Sequence, residues 1–118
     1  MKKRVFICDD DEDILFICRH VLEREGFEVV TSNNNNNITE MVKGIGPDVI
    51  LMDNWVPDMG GVAASKALKS STELRHIPII YFSANNDVVK LAREAGADSY
   101  LEKPFEITDL VKVIRSLV

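Results

Sequence analysis

Short runs of consecutive apolar residues alternate along the chain with stretches in which apolar positions recur every three or four residues. Val5–Cys8 and Val49–Met52 are unbroken apolar runs, the pattern of strands buried on both faces in a parallel sheet covered by helices. Phe27–Thr31, Ile77–Phe82 and the brief Tyr100–Leu101 read as three further strands, Pro78 being tolerable near a strand start. Ile14, Ile17, Cys18, Val21 and Leu22 mark one buried face of a helix. Asp11 or Glu12 opens it, and Gly26 stands where a C-terminal cap would. A shorter helix is expected from Ile38 or Thr39 to Lys43, ended by Gly44, Gly46 and Pro47. Val62–Lys69 is expected to be helical with Val62, Ala63, Ala67 and Leu68 toward the core. Val88–Ala95 is helical and closed by Gly96, and the last helix carries Ile107, Leu110, Val111, Ile114 and Leu117 on one face. Ser32–Asn37 holds five asparagines in a row, residues that favour turns over helix or strand, and reads as an exposed loop.

Five strands alternating with five helices predict an α/β fold with a doubly wound parallel sheet, because right-handed crossovers leave few other topologies. The 118 residues suit one domain, residues 1–118, with a core that needs no metal or disulfide staple. A net charge of −5 and a pI near 5.0 argue against nucleic-acid binding through a basic face. Cys8 and Cys18 lie among apolar residues without CxxC spacing and read as buried thiols of a reducing compartment. No signal peptide or membrane span is visible, and the expected location is cytoplasmic.

The candidate chemistry lies at the ends of the strands, where open α/β sheets bind ligands. The first strand runs into Asp9 and Asp10, the third into Asp53, the fourth into Ser83, and Lys103 follows the fifth. Three carboxylates about 5 Å apart repel by roughly 3 kcal/mol per pair at an effective dielectric of about 20. That repulsion implies counter-charges, Lys103 and a bound cation. Clustered carboxylate oxygens suit a hard ion such as Mg²⁺. Acids, a divalent ion, a lysine and a hydroxyl together are the equipment of phosphoryl transfer.

These residues give the chain its resemblance to a receiver domain of two-component response regulators, over essentially its full length. The matching motifs are Asp9-Asp10, Asp53 with Pro57 and Gly61 behind it, Ser83-Ala84, and Lys103-Pro104-Phe105. Ala95-Gly96-Ala97-Asp98 with Tyr100 also fits. The resemblance implies a flavodoxin-like sheet of order 2-1-3-4-5 flanked by five helices. It implies that Asp53 accepts a phosphoryl group from a sensor histidine kinase or phosphotransfer protein. Asp10 would bind Mg²⁺ directly, Asp9 through water, and the Trp55 backbone carbonyl would add a ligand. Lys103 would pair with the phosphoryl oxygens, and its bond to Pro104 would be cis. Ser83 would bond the phosphoryl group and let Tyr100 rotate inward. The expected product is a signalling switch rather than a turnover enzyme. It would change its contacts with a downstream protein through the helix 4–strand 5–helix 5 face, with room for a phosphorylation-dependent dimer. The energetics suit a switch, since inverting a 1:99 population takes about 5.5 kcal/mol and two or three charge-assisted hydrogen bonds of roughly 1.5–3 kcal/mol each reach that size.

Other readings are weaker. A flavodoxin-like nucleotide- or flavin-binding module would bring a Gly- or Ser/Thr-rich phosphate loop after the first strand, where this chain has five acids, Asp9–Asp13. A phosphohydrolase of the Asp-x-Asp type would need a second acid, and Asp53-Asn54-Trp55 lacks it. A docking domain that has lost phosphorylation would have no use for a full acceptor set. Asp58 reads as a solvated turn residue, Gly60 stands where the family more often has a polar residue, and His20 and His76 read as surface residues. The Ser83–Gly96 segment is slightly short for the family, so its helix is expected short or shifted.

Overall fold

The computed structural model describes residues 2–34, 36–54, 60–84 and 87–118. Along them run β1 (Arg4–Cys8), α1 (Glu12–Arg24), β2 (Glu28–Ser32), α2 (Ile38–Ile45) and β3 (Val49–Asp53). After these come α3 (Gly61–Ser70), β4 (Ile79–Ser83), α4 (Val88–Ala95), β5 (Ser99–Glu102) and α5 (Ile107–Leu117). All four strand pairs are parallel, in the order β2-β1-β3-β4-β5. This is the expected doubly wound, flavodoxin-like sheet.

Strand alternation sorts the core into two layers. Phe6, Cys8, Ile50, Met52, Ile79 and Tyr81 face α2, α3 and α4, while Val5, Ile7, Val49, Leu51, Ile80 and Phe82 face α1 and α5. Each strand side chain thus points into one layer or the other, which is why β1, β3 and β4 are apolar without alternation. The edge strand β5 differs: Ser99 and Leu101 are half-buried, whereas Tyr100 and Glu102 face out.

Local chemistry sets the boundaries. Asp11 caps α1, its carboxylate accepting from the amides of Asp13 and Ile14 at 3.0 and 3.4 Å. The helix closes in a Schellman turn, Gly26 at φ +93° donating to Glu23 O and Phe27 to Leu22 O. Phe27 therefore belongs to the turn, and β2 starts one residue later than its apolar pattern suggests. Ile77 likewise precedes β4: its amide donates to Leu74 O, while the Pro78 carbonyl accepts from Ile50. The turn between α4 and β5 is held by Asp98, whose Oδ2 accepts from Lys69 Nζ at 2.7 Å and Ile79 N at 2.8 Å. Those bonds tie the α4–β5 turn to α3 and to the start of β4. α4 occupies the expected Val88–Ala95.

Two helix faces differ from expectation. In α1 the buried residues are Leu15, Cys18 and Leu22; Ile17 is 49% exposed and Phe16 73%. Ile17 lines an apolar groove with Phe105 and Ile107, while Ile14 is half-buried, packing against the core and lining the same groove. The predicted stripe therefore mixed core and groove residues. In α3 the buried side is Gly61, Ala64, Ser65 and Leu68, with Ala63 exposed and Val62 and Ala67 half-buried. Gly61 sets this rotation, because the helix starts against β3. Of the face expected for α5, Leu110 and Ile114 are buried and Val111 and Leu117 pack half-buried beside them, while Ile107 lines the groove. Both cysteines are buried free thiols, and His20 and His76 are exposed.

A Cβ on Gly61 would run into the backbone carbonyl of Asp53 and come within 3.0 Å of Asn54 Cα. Backbone cannot swing aside as a side chain can. Gly61→Ala is accordingly expected to cost about 2–3 kcal/mol, the upper part of the range for overpacking, in a urea unfolding titration.

Candidate functional site

The site forms because the sheet aligns the strand ends. Cys8 and Met52 are register partners in β1 and β3, so the next residues, Asp9 and Asp53, emerge side by side. β4 lies on the other side of β3 and ends in Ser83. β5 ends at Glu102, paired with Ser83, and Lys103 follows, its amide donating to Ser83 O at 2.8 Å. The Lys103–Pro104 bond is cis, as the resemblance implied.

Lys103 reaches back over the strand ends. Its Nζ donates to Asp53 Oδ1 at 2.7 Å and to Asp9 Oδ2 at 3.0 Å, and lies 4.7 Å from the centre of the Phe82 ring. Asp9 Oδ1 accepts from the Asp11 amide at 2.9 Å, so both Asp9 oxygens have protein partners. Asp9 and Asp53 are buried and Asp10 is exposed. These three acids can offer ligand oxygens all within 4.8 Å of one another. Together with Asp11, Asn54, Ser83, Ala84 and Lys103 they line a cleft of about 430 Å³.

Electrostatics leaves this cluster short of positive charge. Burial, and secondarily the Asp53 charge, holds the Asp9 carboxyl above its ordinary value despite the Asp11 amide and Lys103. Burial works against the Lys103 ammonium too, but hydrogen bonds to Asp53 and Asp9 outweigh it and leave its pKa raised. Its ion pairs therefore stabilise the fold below the ordinary lysine value of 10.5 and are lost as pH climbs through the raised one. One lysine facing three carboxylates leaves room for a divalent cation.

Each anticipated residue can now be placed. Asp9, Asp10, Asp53, Ser83 and Lys103 are brought to one cleft. Tyr100 is not in it: it is 46% exposed, beside a groove it lines with Val89, Ala92 and Arg93. Trp55, Pro57 and Asp58 lie outside the described residues, and so does the implied Trp55 ligand. The sequence reading passed over Tyr81 and Asn54. Tyr81 is fully buried in β4, and its hydroxyl donates to Asn54 Oδ1, next to Asp53. A tyrosine in an otherwise apolar run was the available signal, since a buried hydroxyl needs a partner.

The family model described as response regulator receiver domain matches residues 5–115. The chain belongs to the response regulator receiver domain family. It is 32% identical over 119 residues to the polar-differentiation response regulator DivK of Brucella anthropi, covering 98% of this chain and 96% of that protein. In fold it matches the chemotaxis response regulator CheY4 of Vibrio cholerae with a TM-score of 0.90, at 24% identity and full coverage of both chains. The receiver domain of a sensor histidine kinase from Pseudomonas aeruginosa PAO1, solved with a magnesium ion coordinated in its active-site cleft, aligns with a TM-score of 0.90 and 22% identity. That alignment covers 99% of this chain and 98% of that one. This receiver domain has, among its described residues, no helix long and apolar enough to cross a membrane.

Removing Lys103 would take the counter-charge from two buried carboxylates. Lys103→Ala is expected to cost about 3 kcal/mol, the low end for breaking a buried pair because the cleft is open on one side. Thermal melts should show part of that loss recovered on adding Mg²⁺. In the unaltered protein, Mg²⁺ at about ten times its Kd should raise Tm by roughly 5 °C. Asp10→Asn should lose that gain.

Proposed function

We propose that this receiver domain accepts a phosphoryl group on Asp53 from a sensor histidine kinase or a phosphotransfer protein. The observation that carries the reading is Lys103 bridging Asp9 and Asp53 at 3.0 and 2.7 Å, with Asp10 and Ser83 lining the same cleft. Asp53 is the carboxylate set at the strand end with Lys103 beside it. Its oxygen attacks phosphorus, the P–N bond to the donor histidine breaks, and the imidazole leaves, giving an acyl phosphate. Lys103 then moves its ion pair to the new phosphoryl oxygens, which keeps that charge compensated. Ser83 supplies a hydroxyl to the same group.

The donor set fits Mg²⁺, which would supply positive charge to offset that of the carboxylates and of the incoming phosphoryl group. Asp10 and Asp53 would hold it directly. Asp9 would act through water, in keeping with two oxygens already bonded to the Asp11 amide and Lys103. The Trp55 carbonyl is the further ligand the family pattern supplies.

On this reading the domain is a cytoplasmic signalling switch and not a turnover enzyme. Phosphorylation draws Ser83 toward the new group, and Tyr100 leaves its outward position for the space between α4 and β5. The α4–β5–α5 face then changes its affinity for a downstream protein or a second copy of the domain.

Incubation with acetyl phosphate and Mg²⁺ tests the acceptor. The unaltered protein should gain the mass of one phosphoryl group, and Asp53→Asn should not. Equal behaviour of the two would sink the reading.

A further inference from the structure

Asn54 follows the acceptor and has three ties. Its amide donates to Phe82 O at 3.1 Å, its carbonyl accepts from Gly61 at 3.1 Å, and its Oδ1 accepts from Tyr81. Tyr81 stands on the α3–α4 side of β4 with no exposed surface. Burial, followed by the charges of Asp53 and Glu94, pushes its hydroxyl up to about 12, so it keeps its proton across the working range and remains a donor. An asparagine side chain has one acceptor end and one donor end. Tyr81 occupies the acceptor end from inside the core, while Asn54 forms part of the cleft wall. What remains for the cleft is the NH₂ group.

We propose that the Asn54 side-chain amide is a further phosphoryl-binding group of this site, oriented by the hydroxyl of Tyr81. The chemistry is specific in sign. An NH₂ donor favours an incoming phosphoryl oxygen and offers nothing to a cation, so Asn54 distinguishes the anion from the metal in one cleft. Tyr81 is a positioning residue: it touches neither ligand, and its hydroxyl keeps the Asn54 oxygen turned away from them. The proposal rests on the phosphoacceptor reading and deepens it by adding a donor from the acceptor's own loop.

Titration with beryllium fluoride in saturating Mg²⁺, beside titration with Mg²⁺ alone, tests it by NMR. Tyr81→Phe keeps the ring and so the packing. It should weaken beryllium fluoride about three- to tenfold, the size of one neutral hydrogen bond, and leave the Mg²⁺ Kd unchanged. Asn54→Ala should do the same, and Tyr81→Phe added to it should have no further effect, because the two act as one unit. Asn54→Asp should weaken beryllium fluoride more than Asn54→Ala while binding Mg²⁺ at least as well. The inference is overturned if Tyr81→Phe leaves beryllium fluoride binding intact, if both ligands weaken together, or if the two substitutions add. Should Tyr81→Phe not fold, the order Asn, Ala, Asp at position 54 decides alone. Unaltered protein that binds Mg²⁺ but no beryllium fluoride would remove the phosphoacceptor reading itself, a result separate from any of these.

Discussion

Everything at the site depends on one ammonium group placed between two buried carboxylates. Without Lys103, Asp9 and Asp53 would repel across the ends of neighbouring strands, with no water shell on Asp9 to screen them. With it they are held in place but still under-neutralised, since Asp10 is the third acid in reach. On the proposed function, a site in that condition would favour a cation and would lose nothing by exchanging a carboxylate partner for a phosphoryl one. Lys103 keeps an anion beside it throughout. On that reading the stability of the resting fold and the chemistry of transfer are set by the same ion pair.

That pair is long-range, and the parallel sheet is what makes it short in space. Lys103 lies 94 positions from Asp9 and 50 from Asp53. β1 and β3 are hydrogen-bonded neighbours with Cys8 opposite Met52, so their following residues project together. Sequence-distant β4 and β5 then bring Ser83 and Lys103 to the same edge. Parallel strands place all their carboxyl ends on one side, and the helices on both faces close off the rest. Close packing at Gly61 keeps the start of α3 against Asp53 and Asn54, so Asp53 is braced from behind.

Much of this was legible in the chain. Apolar runs ending in Asp9, Asp53 and Ser83 mark strands and their functional ends at once, because a fully buried strand has no polar position until it leaves the sheet. Boundaries were harder wherever a buried residue belongs to a turn. Phe27 and Ile77 are as buried as strand residues, yet both are held by helix-closing or turn hydrogen bonds. Hydropathy reports burial and not backbone pairing. The α1 stripe was off at one position for a related reason: Ile17 is apolar yet exposed, lining a groove with Phe105 and Ile107. Tyr81 escaped notice because its ring satisfies the strand pattern, while its hydroxyl takes part in a separate interaction that periodicity does not register.

Tyr81 also lies between Asp53 and the far edge of the sheet. It is the register partner of Met52 in β3 and of Tyr100 in β5. Partners in a parallel pair present their side chains to the same side, so Tyr81 stands between the strand that ends in Asp53 and the exposed ring of Tyr100. Its hydroxyl meets Asn54, and its ring belongs to the layer containing Val88, Ala92 and Ala95 of α4. Adjacency of this kind is not coupling by itself; coupling needs an element with two arrangements that both ends bias. The Tyr81–Asn54 bond has the required form, since an amide side chain can be held or released by one hydroxyl. A group drawn to Asn54 from the cleft would act on that bond directly, and so on the core residue that lies alongside Tyr100.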